Sequence, residues 1–180
     1  LHSQLEASKQ QWEEVQRKVP VVVHHIAPLV KAQTGATKAK CNKYEASLVA
    51  YQKQVAEAGF WLFDTGAPAA KRLLEEAKES HASELKKCQA MQHEATMFEC
   101  AEKMTPSNEI MHQVGLQLEH MNGLWALCEE ATMYEDIAKG TPWEDVDGEG
   151  LEEKAKELMV KCKKIKKEVK KKGGEGERKS

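Results

Sequence analysis

Apolar side chains recur along this chain at alternating spacings of three and four, and the clearest run is Met111, Val114, Leu118, Met121, Trp125, Cys128 and Thr132. That spacing sets one stripe along a helix and predicts a packing face there. Thr105-Pro106-Ser107-Asn108 stands before it, with proline suited to an early helical position and Asn108 able to cap the following turn. Lys139-Gly140-Thr141-Pro142-Trp143 follows as a helix stop, so the chain is expected to turn a corner at Pro142 and Trp143.

The same period appears in five other places. Leu5, Trp12, Val15 and Val19 predict an amphipathic first helix, broken or kinked by Pro20. Val23, Ile26, Leu29 and Val30 then predict a short second helix ending near Gln33-Thr34-Gly35. Cys41, Tyr44, Leu48, Tyr51 and Val55 form another seam, stopped at Gly59. Phe60-Trp61-Leu62-Phe63 and the turn residues Asp64 to Pro68 come next, and the aromatics are expected to plug the end of a bundle. A helix from Pro68 to about Lys103 carries Leu74, Ala77, His81, Cys88, Met91, Ala95 and Phe98 on one face, with Glu84 its one charged member. The last helix, from about Asp147, has Leu151, Ala155, Leu158, Cys162, Ile165 and Val169 in its seam. Its first turns hold Glu149, Glu152 and Glu153 and its end gathers lysines, an order that matches the helix dipole.

Strand-like alternation is scarce, and the one β-branched run, Val19 to Val23, contains Pro20. The expected fold class is therefore all-α, an elongated antiparallel helical bundle with coiled-coil-like seams. The expected divisions are residues 1–35 as an N-terminal helical segment, 36–138 as the main bundle, 139–172 as a further helical region and 173–180 as a flexible tail. Gly115 and Gly123 each cost roughly 1 kcal/mol inside a helix, which predicts close approach by a neighbour at both.

Composition agrees with long helices that bury a single stripe: of 180 residues, 41% are hydrophobic and 31% charged. A formal net charge of −2 leaves no overall field to gather nucleic acid or an anionic membrane, and neither is expected as a partner. Cys41, Cys88, Cys128 and Cys162 fall on seams, where a free thiol acts as a small buried hydrophobe, and five cysteines cannot all pair. A reducing, cytoplasmic setting follows. No apolar run approaches the ~20 residues of a spanning helix, and the start at Leu1, without methionine, suggests a segment of a longer protein.

Candidate chemistry is sparse. Nucleotide-binding glycine loops, a nucleophile elbow and a His-Glu-x-x-His motif are all absent from the sequence. Adjacent His24 and His25 diverge by about 100° on a helix, and Glu109 with His112 gives only one half of a carboxylate-metal motif. The segment is read as non-enzymatic, with no cofactor and no metal; a carboxylate-metal enzyme in a four-helix bundle is the third reading. Eight lysines lie between Lys161 and Lys172. Lys163, Lys164, Lys166, Lys167, Lys170 and Lys171 read first as a solvated face and second as an electrostatic contact for an acidic protein surface.

The order of these features resembles a dynein heavy chain of the axonemal type, where the tail meets the linker. Met97-Phe98 closes a long helix, Pro106 lies in a short polar link, and Asn108-Glu109-Ile110-Met111 opens a helix reaching Gly123-Leu124-Trp125-Ala126-Leu127. Thr141-Pro142-Trp143-Glu144-Asp145 then leads into an acidic helix start, and the match spans roughly residues 36 to 170. The resemblance implies a non-catalytic, force-transmitting tail and linker segment, with Phe98, Pro106, Trp125, Pro142 and Trp143 at the joint. It also implies a parent that is an ATP-hydrolysing microtubule motor of the ciliary or flagellar axoneme. Its partners would be other dynein chains or adjacent tail and linker helices. The alternative is a free-standing helical scaffold that docks an acidic partner through its lysine-rich last helix.

Overall fold

The computed structural model describes residues 2–173, with side chains described for residues 4–167. Four long helices account for nearly all of it: α1 (His2–Ala56), α2 (Ala67–Met97), α3 (Thr105–Gly140) and α4 (Gly148–Gly173), joined by short 3₁₀ turns and without a strand among the described residues. The all-α expectation holds. Residues 174–180 of the expected flexible tail lie outside the described residues.

Three boundaries differ from those expected. Helix α1 runs unbroken through Pro20, Pro28 and Gly35, where a break and a stop were expected. The backbone carbonyls that lose their partners to Pro20 and Pro28 lie on a stretch whose side chains are all exposed, so water can satisfy them. Helix α2 ends at Met97, six residues before Lys103. Glu99 adopts a left-handed conformation (φ 53°), Cys100 N–H bonds the Ala95 carbonyl at 2.8 Å and Glu99 N–H bonds that of Thr96 at 3.2 Å. This is a Schellman closure with glutamate in place of the usual glycine, and buried Ala95 and Cys100 supply its apolar contact. With neither Gly nor Pro at the position, nothing in the sequence marks it.

Contacts divide the chain into two compact units, one built from Leu1–Leu48 and Lys87–Asn108, the other from Val49–Lys86 and Glu109–Ser180. In the first, α2 runs antiparallel to α1 and buries Thr37, Cys41, Leu48, Cys88, Ala95, Cys100, Met104 and Ser107. Polar contacts fix the register: Thr37 donates to Glu94 at 3.3 Å, Lys40 pairs with the same carboxylate at 2.7 Å, and Thr34 reaches the Phe98 carbonyl at 3.5 Å. Asn108 does not cap α3. Its amide donates to Gln92 at 2.9 Å and its oxygen accepts from the Cys88 thiol at 3.2 Å, while α3 begins three residues earlier at Thr105.

The second unit packs Val55, Phe60, Ala70, Leu74, Val114, Leu118, Met121 and Trp125 into one core. Phe60, 1% exposed, plugs that core as expected, whereas Leu62 and Phe63 face solvent. Lys71 with Glu129, and Lys78 with Asn122 at 2.8 Å, align α2 antiparallel to α3.

Candidate functional site

The residues singled out for a joint fall at separate places. Phe98, half-buried, and Pro106, exposed in the first turn of α3, belong to the first unit. Trp125, Pro142 and Trp143 belong to the second. Trp125 is the anchor among them: it is 5% exposed, its indole N–H donates to the Phe60 carbonyl at 2.8 Å, and its ring lies 6.3 Å from that of Phe63 at an interplanar angle of 9°. Trp143 is 89% exposed, so its ring is not packed into the corner as a joint-fixing side chain would be.

What holds the corner is polar. Helix α3 ends at Gly140, where Thr141 donates to the Ile137 carbonyl at 2.7 Å. A 3₁₀ turn over Trp143–Asp145 follows, and Asp147 then caps α4 by accepting the Gly150 N–H at 2.9 Å. Tyr134 donates its hydroxyl to the Gly150 carbonyl at 3.3 Å, tying the end of α3 to the start of α4.

Helix α4 then returns along α3 on a face one position away from the expected seam. Leu151, Lys154, Leu158, Lys161 and Ile165 are half-buried, whereas Ala155 and Cys162 are exposed. The expectation that Cys162 is a buried hydrophobe is therefore corrected, while Cys41 and Cys88 are buried and Cys128 is partly so. The rotation has an electrostatic cause. Glu130 on α3 accepts from Lys154 at 2.7 Å and from Lys161 at 2.9 Å, and Glu157 bonds the same two lysines at 2.9 and 2.7 Å. The lysine stems cover apolar surface while their ammonium groups meet the carboxylates. Lys154, with Lys161, holds the Glu157 carboxyl down at about 2 and lowers that of Glu130; the lysine pKa values are raised in return. Sequence reading missed this quartet because each member looks like an ordinary helix-surface charge.

The two helical glycines part company. A Cβ on Gly115 would lie 3.2 Å from the His81 ring, whose Nε2–H donates to the Met111 carbonyl at 2.9 Å. The missing side chain lets imidazole reach the α3 backbone, so His81 is a donor there. At Gly123 the nearest atom is Ile165 Cδ1 at 3.8 Å, an ordinary contact.

On the opposite side of α3, Phe63 and Pro68 face Trp125, Met133 and Ile137 across an open groove of about 730 Å³. Lys163, Lys164, Lys166 and Lys167 are exposed on α4; the side chains of Lys170 and Lys171 lie outside those described. Among the described residues no three His, Cys, Asp or Glu side chains gather as a metal cluster, and no helix is long and apolar enough to cross a membrane. The arrangement is one of packed helices, polar clasps and open surfaces.

No family model matches the chain. Over 172 residues, 94% of its length, it is 25% identical to the dynein alpha chain, flagellar outer arm, of Chlamydomonas reinhardtii. The likeness is to a dynein. The chain spans 4% of the length of that protein, and the aligned stretch takes in both units and all four helices.

Proposed function

We propose that this chain is a non-catalytic structural segment of an axonemal dynein heavy chain, working where the tail meets the linker and passing force along its helices. The observation that carries this reading is the similarity to a flagellar dynein along nearly the whole chain. Its helices supply a mechanical rationale: antiparallel helices with interlocking seams resist bending, and α4 is clasped to α3 by the Glu130 quartet and the Tyr134 bond. Trp125 is the residue we assign to holding the bundle next to the corner, through its bond to the Phe60 carbonyl. ATP hydrolysis and microtubule binding would belong to other parts of the parent, and this segment would need no cofactor. Its neighbours would be adjacent tail and linker helices or other dynein chains, in the axoneme of a cilium or flagellum.

The test is an antibody raised to residues 36–138 and applied to isolated axonemes. The expected result is a band of heavy-chain size that leaves the axoneme with the dynein arms on salt extraction. A band no larger than this chain, or one absent from axonemes, overturns the reading.

A second reading, a scaffold docking an acidic partner, is favoured by the exposure of Lys163, Lys164, Lys166 and Lys167. Binding to a polyglutamate peptide that falls steeply with salt would support it, and no binding at low salt would dispose of it.

A further inference from the structure

Two of the five prolines follow a threonine, and the fold treats the two pairs in opposite ways. Thr105-Pro106 is locked between helices. A 3₁₀ turn over Ala101–Met104 leads straight into α3, Thr105 has helical backbone angles (φ −54°, ψ −49°), and the side chains of Met104 and Ser107 beside the pair are fully buried. Drawing that segment out as an extended chain would tear both from the core of the first unit. Thr141-Pro142 lies instead in the corner between α3 and α4. Pro142 is already extended there (φ −55°, ψ 143°), and no side chain from Thr141 to Asp147 is buried. The Thr141 hydroxyl has a structural task in this corner. It donates to the Ile137 carbonyl at 2.7 Å, beside its own backbone N–H at 3.0 Å, and so closes the last turn of α3.

We propose that Thr141 is a phosphorylation site for a proline-directed protein kinase, and that the phosphate loosens the corner. This does not rest on the dynein reading. Such a kinase reads a threonine-proline pair in an extended chain, the conformation that a residue before proline favours. Of the two pairs, only the one in the corner can offer it without opening a core. The γ-phosphoryl group passes from ATP to Thr141 Oγ1, the hydroxyl proton passes to the kinase's catalytic aspartate, and ADP leaves. The product disturbs its surroundings in two ways. The Ile137 carbonyl loses its hydroxyl donor, because the phosphate oxygens only accept. About two negative charges also arrive at the C-terminal end of α3, where the helix dipole is already negative. Lys139, the cation nearest in sequence, is held by Glu135 at 2.6 Å, and Asp136, Glu144, Asp145 and Asp147 all lie within six residues of Thr141. Glu130 and its two lysines sit about three turns back along α3, so the clasp on α4 is spared and the effect stays at the corner.

The 180-residue chain is incubated with a proline-directed kinase and magnesium ATP, and the phosphate is located by mass spectrometry. Thr141 should be modified, and Thr105 at least about tenfold more slowly. A free peptide of residues 99–111 should accept phosphate at Thr105, which ties the silence of that site in the chain to its fold. A folded chain that takes no phosphate at Thr141, or takes it as fast at Thr105, overturns the proposal; a peptide left unmodified overturns the attribution to the fold. Amide exchange over residues 137–147 then reads the consequence. Phosphorylation should raise it roughly tenfold, and Thr141→Val, which removes the hydroxyl without adding charge, should raise it by less. Exchange that is unchanged or slower in the phosphorylated chain would refute the loosening.

Discussion

Trp125→Phe isolates a hydrogen bond that ties the aromatic turn to α3. The substitution keeps a ring able to stack on Phe63 but removes the indole N–H that meets the Phe60 carbonyl at 2.8 Å in the buried core. Leaving that carbonyl without its donor costs about 1–3 kcal/mol. The smaller ring forfeits roughly another 1 kcal/mol of apolar burial and contact. A loss of about 2–4 kcal/mol is therefore expected in urea unfolding followed by far-ultraviolet circular dichroism. Trp143→Phe is the matched control, because it removes the same indole from a side chain that is 89% exposed and should change stability by no more than about 0.5 kcal/mol. A Trp125→Phe cost below about 1 kcal/mol, or a Trp143→Phe cost equal to it, would refute the assignment of the anchor to Trp125.

Gly123→Ala should stabilise the chain by about 0.5–1 kcal/mol, since Ile165 leaves room for the methyl, whereas Gly115→Ala should lose about 0.5–1.5 kcal/mol by pushing His81 from the Met111 carbonyl; thermal melts of the two distinguish them. Glu99→Gly relieves the left-handed backbone that closes α2 and should add about 1 kcal/mol to the same melt. Because the folded pKa values of Glu130 and Glu157 lie below the ordinary 4.5, the support they give α4 is complete above that pH and is lost as pH falls from about 4.5 through about 2. Amide exchange along α4 should rise across that window, and an α4 no less protected at pH 2 than at pH 6 would count against the clasp. Cys162 should react with a maleimide well before Cys41, Cys88 and Cys100, which are buried, and burial also raises the Cys41 thiol pKa.

Helix content and the core face of α3 were legible in the sequence because they depend on a period of three and four, which a chain expresses locally. Met111, Val114, Leu118, Met121 and Trp125 are buried as that period implies, and the corner after Gly140 falls where glycine and proline place it. The resemblance read from Trp125, Trp143 and their neighbours points to the same kind of protein as the flagellar dynein that the chain matches. The details that escaped depend on partners. Pro20 was read as a break or kink, since a proline's local cost is visible while the solvent available to a freed carbonyl is not. Glu99 carries no sign that Cys100 and Ala95 will close a helix around it.

The sequence by itself determined that this chain forms long amphipathic helices, where most of them turn and which residue types line their seams, because backbone propensity and apolar period act within a few residues. Only the tertiary structure decided which side of α4 is used and which aromatic anchors the second unit. Helix α4 is rotated toward Lys154 and Lys161 because Glu130 waits on α3, and Trp143 is left in water while Trp125 is locked to Phe60. Those outcomes are set by groups tens of residues apart in sequence, whose contact energies exist only once the helices have been laid side by side.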